Sequence, residues 1–145
     1  IGAAAAGGWI AVTGSFAPTA YALWAGVGLW IAGFDILYAT QDYTFDRAHG
    51  VKSIPARFGI PQALRVARAG HLLAWLAFLW AGVSYGAGPL YYLGLLLVGG
   101  LLLLEHRLVS PEDLSKVEVA FFQANVGVSL GMFLFIVLDL LARGA

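Results

Sequence analysis

The stretch AYALWAGVGLWIAGFDILYATQDYTFDRAHGVKSIPARFG, residues 20–59, changes character at Asp35. The 34 residues before that position hold no charged side chain. Asp35, Asp42 and Asp46 then follow at spacings of seven and four. From Arg47 to Arg68 come five cations, Arg47, Lys52, Arg57, Arg65 and Arg68, with no acid among them. The oily part, from Ala20 to about Ala39, is long enough as a helix to cross roughly 30 Å of hydrocarbon. Acids placed at the end of such a segment, followed by bases, mark a membrane boundary where charge has a task.

The rest of the chain has the same texture. Of its 145 residues 61% are hydrophobic and 11% charged, and the formal net charge is zero. A soluble globule of that composition would expose large apolar patches, so the bilayer is the expected solvent. Without cysteine there is neither a disulfide scaffold nor a thiolate metal site. The first residue is Ile1 and the only methionine is Met132, which makes the chain read as part of a longer protein. Nothing in it points to nucleic acid.

Further apolar stretches cover Ile1–Val12, Ala69–Tyr85, Leu90–Leu104 and Val119–Leu138, separated by Gly- and Pro-containing turns such as TGSFAPT and GAGP. The expected fold is all-α, a polytopic transmembrane bundle of about five helices near residues 1–12, 20–46, 62–85, 89–106 and 111–142. Ser110 as N-cap, Pro111 at the first helical position, Asp113 in a capping box and Val109 stapled to Leu114 would start the last helix in water. Gly127 with Gly131, and Ala22 with Gly26, are small-xxx-small pairs that read first as packing positions. The cationic 42–68 connection belongs in the cytoplasm by the positive-inside bias. Counting crossings puts the 105–118 loop on the same side of an inner membrane.

Continued at about 100° per residue, a helix carries Asp35, Tyr38, Asp42 and Asp46 on one face. Asp42 and Asp46 about 6 Å apart would repel by roughly 3 kcal/mol at an effective dielectric near 20. A bound cation removes that repulsion, and intramembrane acids are functional candidates by default. Carboxylate oxygens select a hard ion, and Mg²⁺ binds through one or two carboxylates together with waters and substrate phosphate. Asp42 and Asp46 are therefore the candidate metal ligands. Arg47, Lys52 and Arg57 are the candidate phosphate contacts, because Arg suits bidentate and Lys point-charge contacts. Asn125, in the middle of the last apolar stretch, is either interhelical glue or a pocket donor. Arg65 and Arg68 read as headgroup charges, His71 as a packed or interfacial histidine, and Glu105, His106 and Arg107 as a solvated helix end.

These residues resemble the UbiA family of membrane prenyltransferases. DILYATQDYTFD is similar to the family's second aspartate-rich motif, D-x-x-Y-x-x-x-D-x-x-x-D, and GVKSIPARFG to the loop after it. EHRLVSPEDLSKVEVAFFQANVGVS resembles the family's last loop and last helix. The resemblance implies a nine-helix bundle of which this chain is the C-terminal part. It implies Mg²⁺-dependent transfer of a prenyl group from a polyprenyl diphosphate to an aromatic acceptor in quinone synthesis. The acceptor is expected to be 4-hydroxybenzoate, with a naphthoate of menaquinone synthesis as the alternative. It also implies roles: Asp42 and Asp46 on the metal, Asp35 supporting them, Tyr38 beside the reacting carbon, Lys52 and Arg57 over the diphosphate. The family's first motif, N-D-x-x-D-x-x-x-D, is not found in these residues, so the chain alone is expected to be inactive and to need the N-terminal half of the fold.

Two other classes share ingredients. CDP-alcohol phosphotransferases also pair aspartates on membrane helices, but DILYATQ has neither the Gly nor the Arg of their pattern. An ion-coupled transporter would use the aspartates as cation sites, yet broken mid-membrane helices are not evident.

Overall fold

A computed structural model describes residues 1–144, and these are helical apart from turns and short loops. The helices are α1 (Gly2–Thr13), α2 (Pro18–Tyr38), α3 (Tyr43–His49), α4 (Ile54–Phe58), α5 (Ile60–Tyr85), α6 (Pro89–Leu108) and α7 (Val117–Arg143). α2, α5, α6 and α7 are long and apolar enough to cross a membrane, and α1 is a shorter apolar helix. Proline sits in the first turn of α2, α4, α5 and α6. There its missing N–H costs nothing and its fixed φ favours entry into the helix.

Two expected helices differ. Residues 20–46 are not one helix: α2 ends at Tyr38, and the chain turns through residues 39–42 before α3 begins. The buried Thr40 hydroxyl donates to the Leu37 carbonyl at 2.6 Å, and the amides of Thr40, Gln41, Asp42 and Tyr43 each bond three residues back. A hydroxyl competing for a backbone carbonyl favours such a tightened turn, in which each residue advances about 120° instead of 100°. The aspartates therefore do not form one continuous ladder. Likewise the last helix begins at Val117, not 111. Ser110 Oγ does accept the Asp113 amide at 3.1 Å, but the Asp113 carboxylate takes the Ser115 amide and hydroxyl, at 3.0 and 2.6 Å, and closes a turn instead. Those two bonds hold the Asp113 carboxyl below its ordinary range.

α5 packs against α2, and α7 against α6. Small residues bring the backbones of α2 and α5 close: a side chain at Gly70 of α5 would meet the Leu29 carbonyl and Gly33 of α2. Gly26 receives the Phe78 ring, and Gly127 and Gly131 receive Leu101 and Leu97 of α6. Both small-residue pairs therefore include packing positions. One core cluster joins Leu37 of α2, Leu64 and Ala67 of α5, Val109 of the following loop, and Val117 and Ala120 of α7, with Leu114 packed against it. The 39–59 connection and the 109–116 loop thus lie at the same end of the bundle.

At the other end Asp139 of α7, itself buried, accepts the amides of Gly88 and Tyr91 at 2.8 and 3.4 Å. A helix leaves its first amides without internal partners, so α7 supplies the N-cap of α6. Asp139→Ala is expected to lower the thermal midpoint of the protein in detergent by roughly 5 °C, with Asp139→Asn recovering part of it.

Candidate active site

The connection between α2 and α5 builds a concavity from sequence-local geometry. α3 is closed by Gly50 at φ 70°, in the left-handed region, with its amide on the Asp46 carbonyl. The Val51 amide bonds the same carbonyl at 2.9 Å, which turns the chain back over α3. Ser53 then caps α4, its hydroxyl accepting the Ala56 amide at 3.2 Å. Gly59 at φ 85° joins α4 directly to α5. A side chain at either glycine would be strained.

The result is a cavity of about 350 Å³ lined by Asp46, Arg47, Val51, Lys52, Ala56 and Arg57. Asp46 is only 8% exposed, whereas the cations are exposed. Arg47 donates to the Tyr43 hydroxyl at 2.9 Å and Arg57 lies 5.1 Å from the Phe58 ring centroid, so both guanidinium groups are braced by aromatic neighbours. Among the described residues no cation comes within ion-pair distance of Asp35, Asp42 or Asp46. The cavity thus sets one largely buried carboxylate beside three exposed cations that do not pair with it, the residue types that a phosphate-bound cation would call on.

The other candidates stand apart from this cavity. Asp42 lies in the turn before α3, one helical turn from Asp46, whose amide bonds the Asp42 carbonyl at 2.8 Å. Asp35, in the last turn of α2, is exposed. Tyr38 ends α2, 44% exposed, with its ring 5.1 Å from Phe121 of α7. Phe121 is also part of a second cavity of about 360 Å³, shared with Phe122, Asn125, Val126, Ser129 and Leu130. Asn125 thus faces an apolar trough on α7 that Tyr38 reaches through Phe121. The donor set of Asp42 and Asp46, oxygen only and one turn apart, fits a hard divalent ion.

His71 is packed, as the sequence reading has it, but its partners and the burial of Glu105 were missed. His71 and Glu105 are buried side by side, Nδ1 to Oε2 3.4 Å, and His106 touches His71. Glu105 is therefore not part of a solvated helix end. No local pattern announces a contact between positions 35 residues apart.

A family model described as the UbiA prenyltransferase family matches residues 1–136. A 4-hydroxybenzoate octaprenyltransferase of Nitrosospira multiformis is 35% identical over 122 residues, which are 81% of this chain and 40% of that protein. One of Pseudomonas fluorescens is 33% identical over 138 residues, 92% of this chain and 44% of its own. A 4-hydroxybenzoate solanesyltransferase of Synechocystis sp. is 31% identical, over 81% of this chain and 40% of its own. The chain thus spans less than half the length of these curated relatives. No solved structure matches it significantly. Because the family match runs from α1 into α7 and contains the whole acid-and-base connection, the chain belongs to the UbiA prenyltransferase family.

Proposed function

We propose that this chain carries the diphosphate-binding part of an enzyme that transfers a polyprenyl group to 4-hydroxybenzoate in ubiquinone synthesis. The observation that carries the proposal is the cavity in which Asp46 meets Arg47, Lys52 and Arg57. The names of the relatives favour a hydroxybenzoate over a naphthoate acceptor. Residues outside this chain supply the rest of the site, and residues 1–145 alone are inactive.

In this reading Asp42 and Asp46 hold Mg²⁺, which when bound stabilises charge on the departing diphosphate. Lys52 and Arg57 contact the phosphate oxygens, where preorganised cations lower the barrier as negative charge develops. The allylic C–O bond breaks, and the electron pair leaves with the diphosphate. Tyr38, at the end of α2, offers its ring face to the positive carbon. The acceptor ring attacks that carbon ortho to its hydroxyl and then passes its ring proton to the released diphosphate or to water, with no covalent bond to the protein. The prenyl tail lies along the apolar trough of α7, where Asn125 is the polar contact. The cationic face lies in the cytoplasm, on the inner membrane.

The test is product formation by the full-length protein from radiolabelled polyprenyl diphosphate and 4-hydroxybenzoate, with Mg²⁺ and with EDTA. Label should enter 4-hydroxybenzoate only with Mg²⁺; no incorporation into it in either condition refutes the assignment. Lys52→Ala and Arg57→Ala should each raise KM for the diphosphate about 10- to 100-fold, since a hydrogen bond to a charged group contributes about 1.5–3 kcal/mol. KM for the acceptor should stay nearly constant.

A further inference from the structure

We propose that His71, Glu105 and His106 form a second metal site, for Zn²⁺ or a similar first-row divalent ion, separate from the aspartate motif. His71 projects from α5, and Glu105 and His106 come from the end of α6. One ligand atom from each lies within 4.8 Å of the others.

The hydrogen-bond inventory of this cluster leaves the Glu105 carboxylate open. His71 Nε2 is 3.1 Å from the Trp30 carbonyl, which can only accept, so Nε2 carries a proton. In a neutral ring Nδ1 then has a bare lone pair. That atom is 3.0 Å from His106 Nε2 and 3.4 Å from Glu105 Oε2. Glu105 is 1% exposed, and neither of its carboxylate oxygens has a hydrogen-bond partner. His106 Nε2–H can serve that lone pair, but the buried Glu105 carboxylate beside it still has no donor, and a cation would supply the missing positive charge. A proton on Nδ1 serves one acceptor well and leaves the second carboxylate oxygen empty. A metal ion accepts from all three residues at once.

Geometry and chemistry agree. Ligand atoms about 2.1 Å from a tetrahedral Zn²⁺ stand roughly 3.4 Å apart, close to the two short separations at His71, and the Glu105 and His106 side chains, within 4.8 Å of one another, would draw together on binding. Two imidazoles and a carboxylate suit Zn²⁺ and its neighbours, and not Mg²⁺, which prefers oxygen. The bond from His71 Nε2–H to a backbone carbonyl is the outer contact that fixes the tautomer of a metal-bound histidine. A cavity of about 850 Å³ opens beside the cluster, bounded by Arg68, Trp75, Leu96, His106 and Arg107. It provides an entry path and room for a fourth ligand, such as water. A metal there would clamp α5 to α6, while the Trp30 carbonyl ties the same histidine to α2.

The experiment uses the full-length protein purified in detergent, stripped with a chelator and titrated with Co²⁺, whose visible absorption reports tetrahedral nitrogen and oxygen ligation. Elemental analysis of the unstripped protein should give one equivalent of Zn²⁺ retained through gel filtration, and Co²⁺ should saturate at one equivalent. Glu105→Gln and His106→Gln should each weaken retention at least about 10-fold, whereas Asp46→Asn should leave it unchanged. Wild-type protein that retains no metal and develops no Co²⁺ spectrum overturns the site, and the cluster is then a buried imidazolium–carboxylate pair. Full retention by Glu105→Gln and His106→Gln, or loss in Asp46→Asn, overturns it equally. The wild-type titration decides even if a variant fails to fold.

Discussion

Asp46→Ala in the full-length protein is expected to lower turnover at least about 10³-fold, the upper end of the cost of removing one group that stabilises transition-state charge. Asp46 is the one aspartate of the three that lines the cationic cavity, so under the proposed function its loss would remove a metal ligand from the place proposed for the diphosphate. Its folding role points the other way. The Asp46 side chain has no ion-pair partner among the described residues, so Ala removes no ion pair that holds the fold together. The expected signature is therefore paired: lost prenyl transfer with a metal-free thermal midpoint equal to wild type. Asp42→Ala should behave similarly in the activity assay. Asp35, exposed on α2 and outside the cavity, should cost less, about 10-fold as Asp35→Asn, a polar change beyond the reacting centre. Near-normal turnover by Asp46→Ala would contradict the metal role, and a large fall in its midpoint would reveal a structural role instead.

What could be read without coordinates was what is local. Apolar length marks the four long helices, and the run of cations after Asp46 marks the connection that folds into α3 and α4. The break at Tyr38 depends on whether the Thr40 hydroxyl points back to Leu37, which composition does not decide. At the start of α7, Ser110 and Pro111 have the residue types of a helix start, but the Asp113 side chain chooses Ser115, and two equally local hydrogen-bond patterns compete. Asp139 bonds an amide 51 residues away, and His71 meets His106 across 35. Such pairings are set by helix packing, and one sequence without its fold holds no trace of them. The cavity itself was half legible: its acid and bases are neighbours in the chain, but that Asp46 lines it and Asp42 does not follows from the turn.

Gly33→Ala should destabilise the protein by about 3 kcal/mol, enough to reduce the yield of folded protein in detergent, while Gly28→Ala on the same helix should be neutral or slightly stabilising. By helix propensity alone both changes favour the helix, by up to about 1 kcal/mol. Packing separates them. A methyl group at Gly28 meets nothing within 4 Å, whereas one at Gly33 would clash with Cδ2 and Nε2 on the edge of the His71 ring. Overpacking a close-packed seam costs about 1–3 kcal/mol. Displacing His71 also strips its Nε2 from the Trp30 carbonyl and moves Nδ1 away from Glu105, leaving buried polar groups without partners at about 1–3 kcal/mol more. Against these losses the propensity gain is small. Thermal unfolding of both variants side by side is the measurement. Equal midpoints would mean that α2 and α5 do not approach as closely as this seam requires, and the geometry around His71 would fall with it. A drop confined to Gly33→Ala would locate the tightest contact of the bundle at the histidine, the side chain through which α2, α5 and α6 meet.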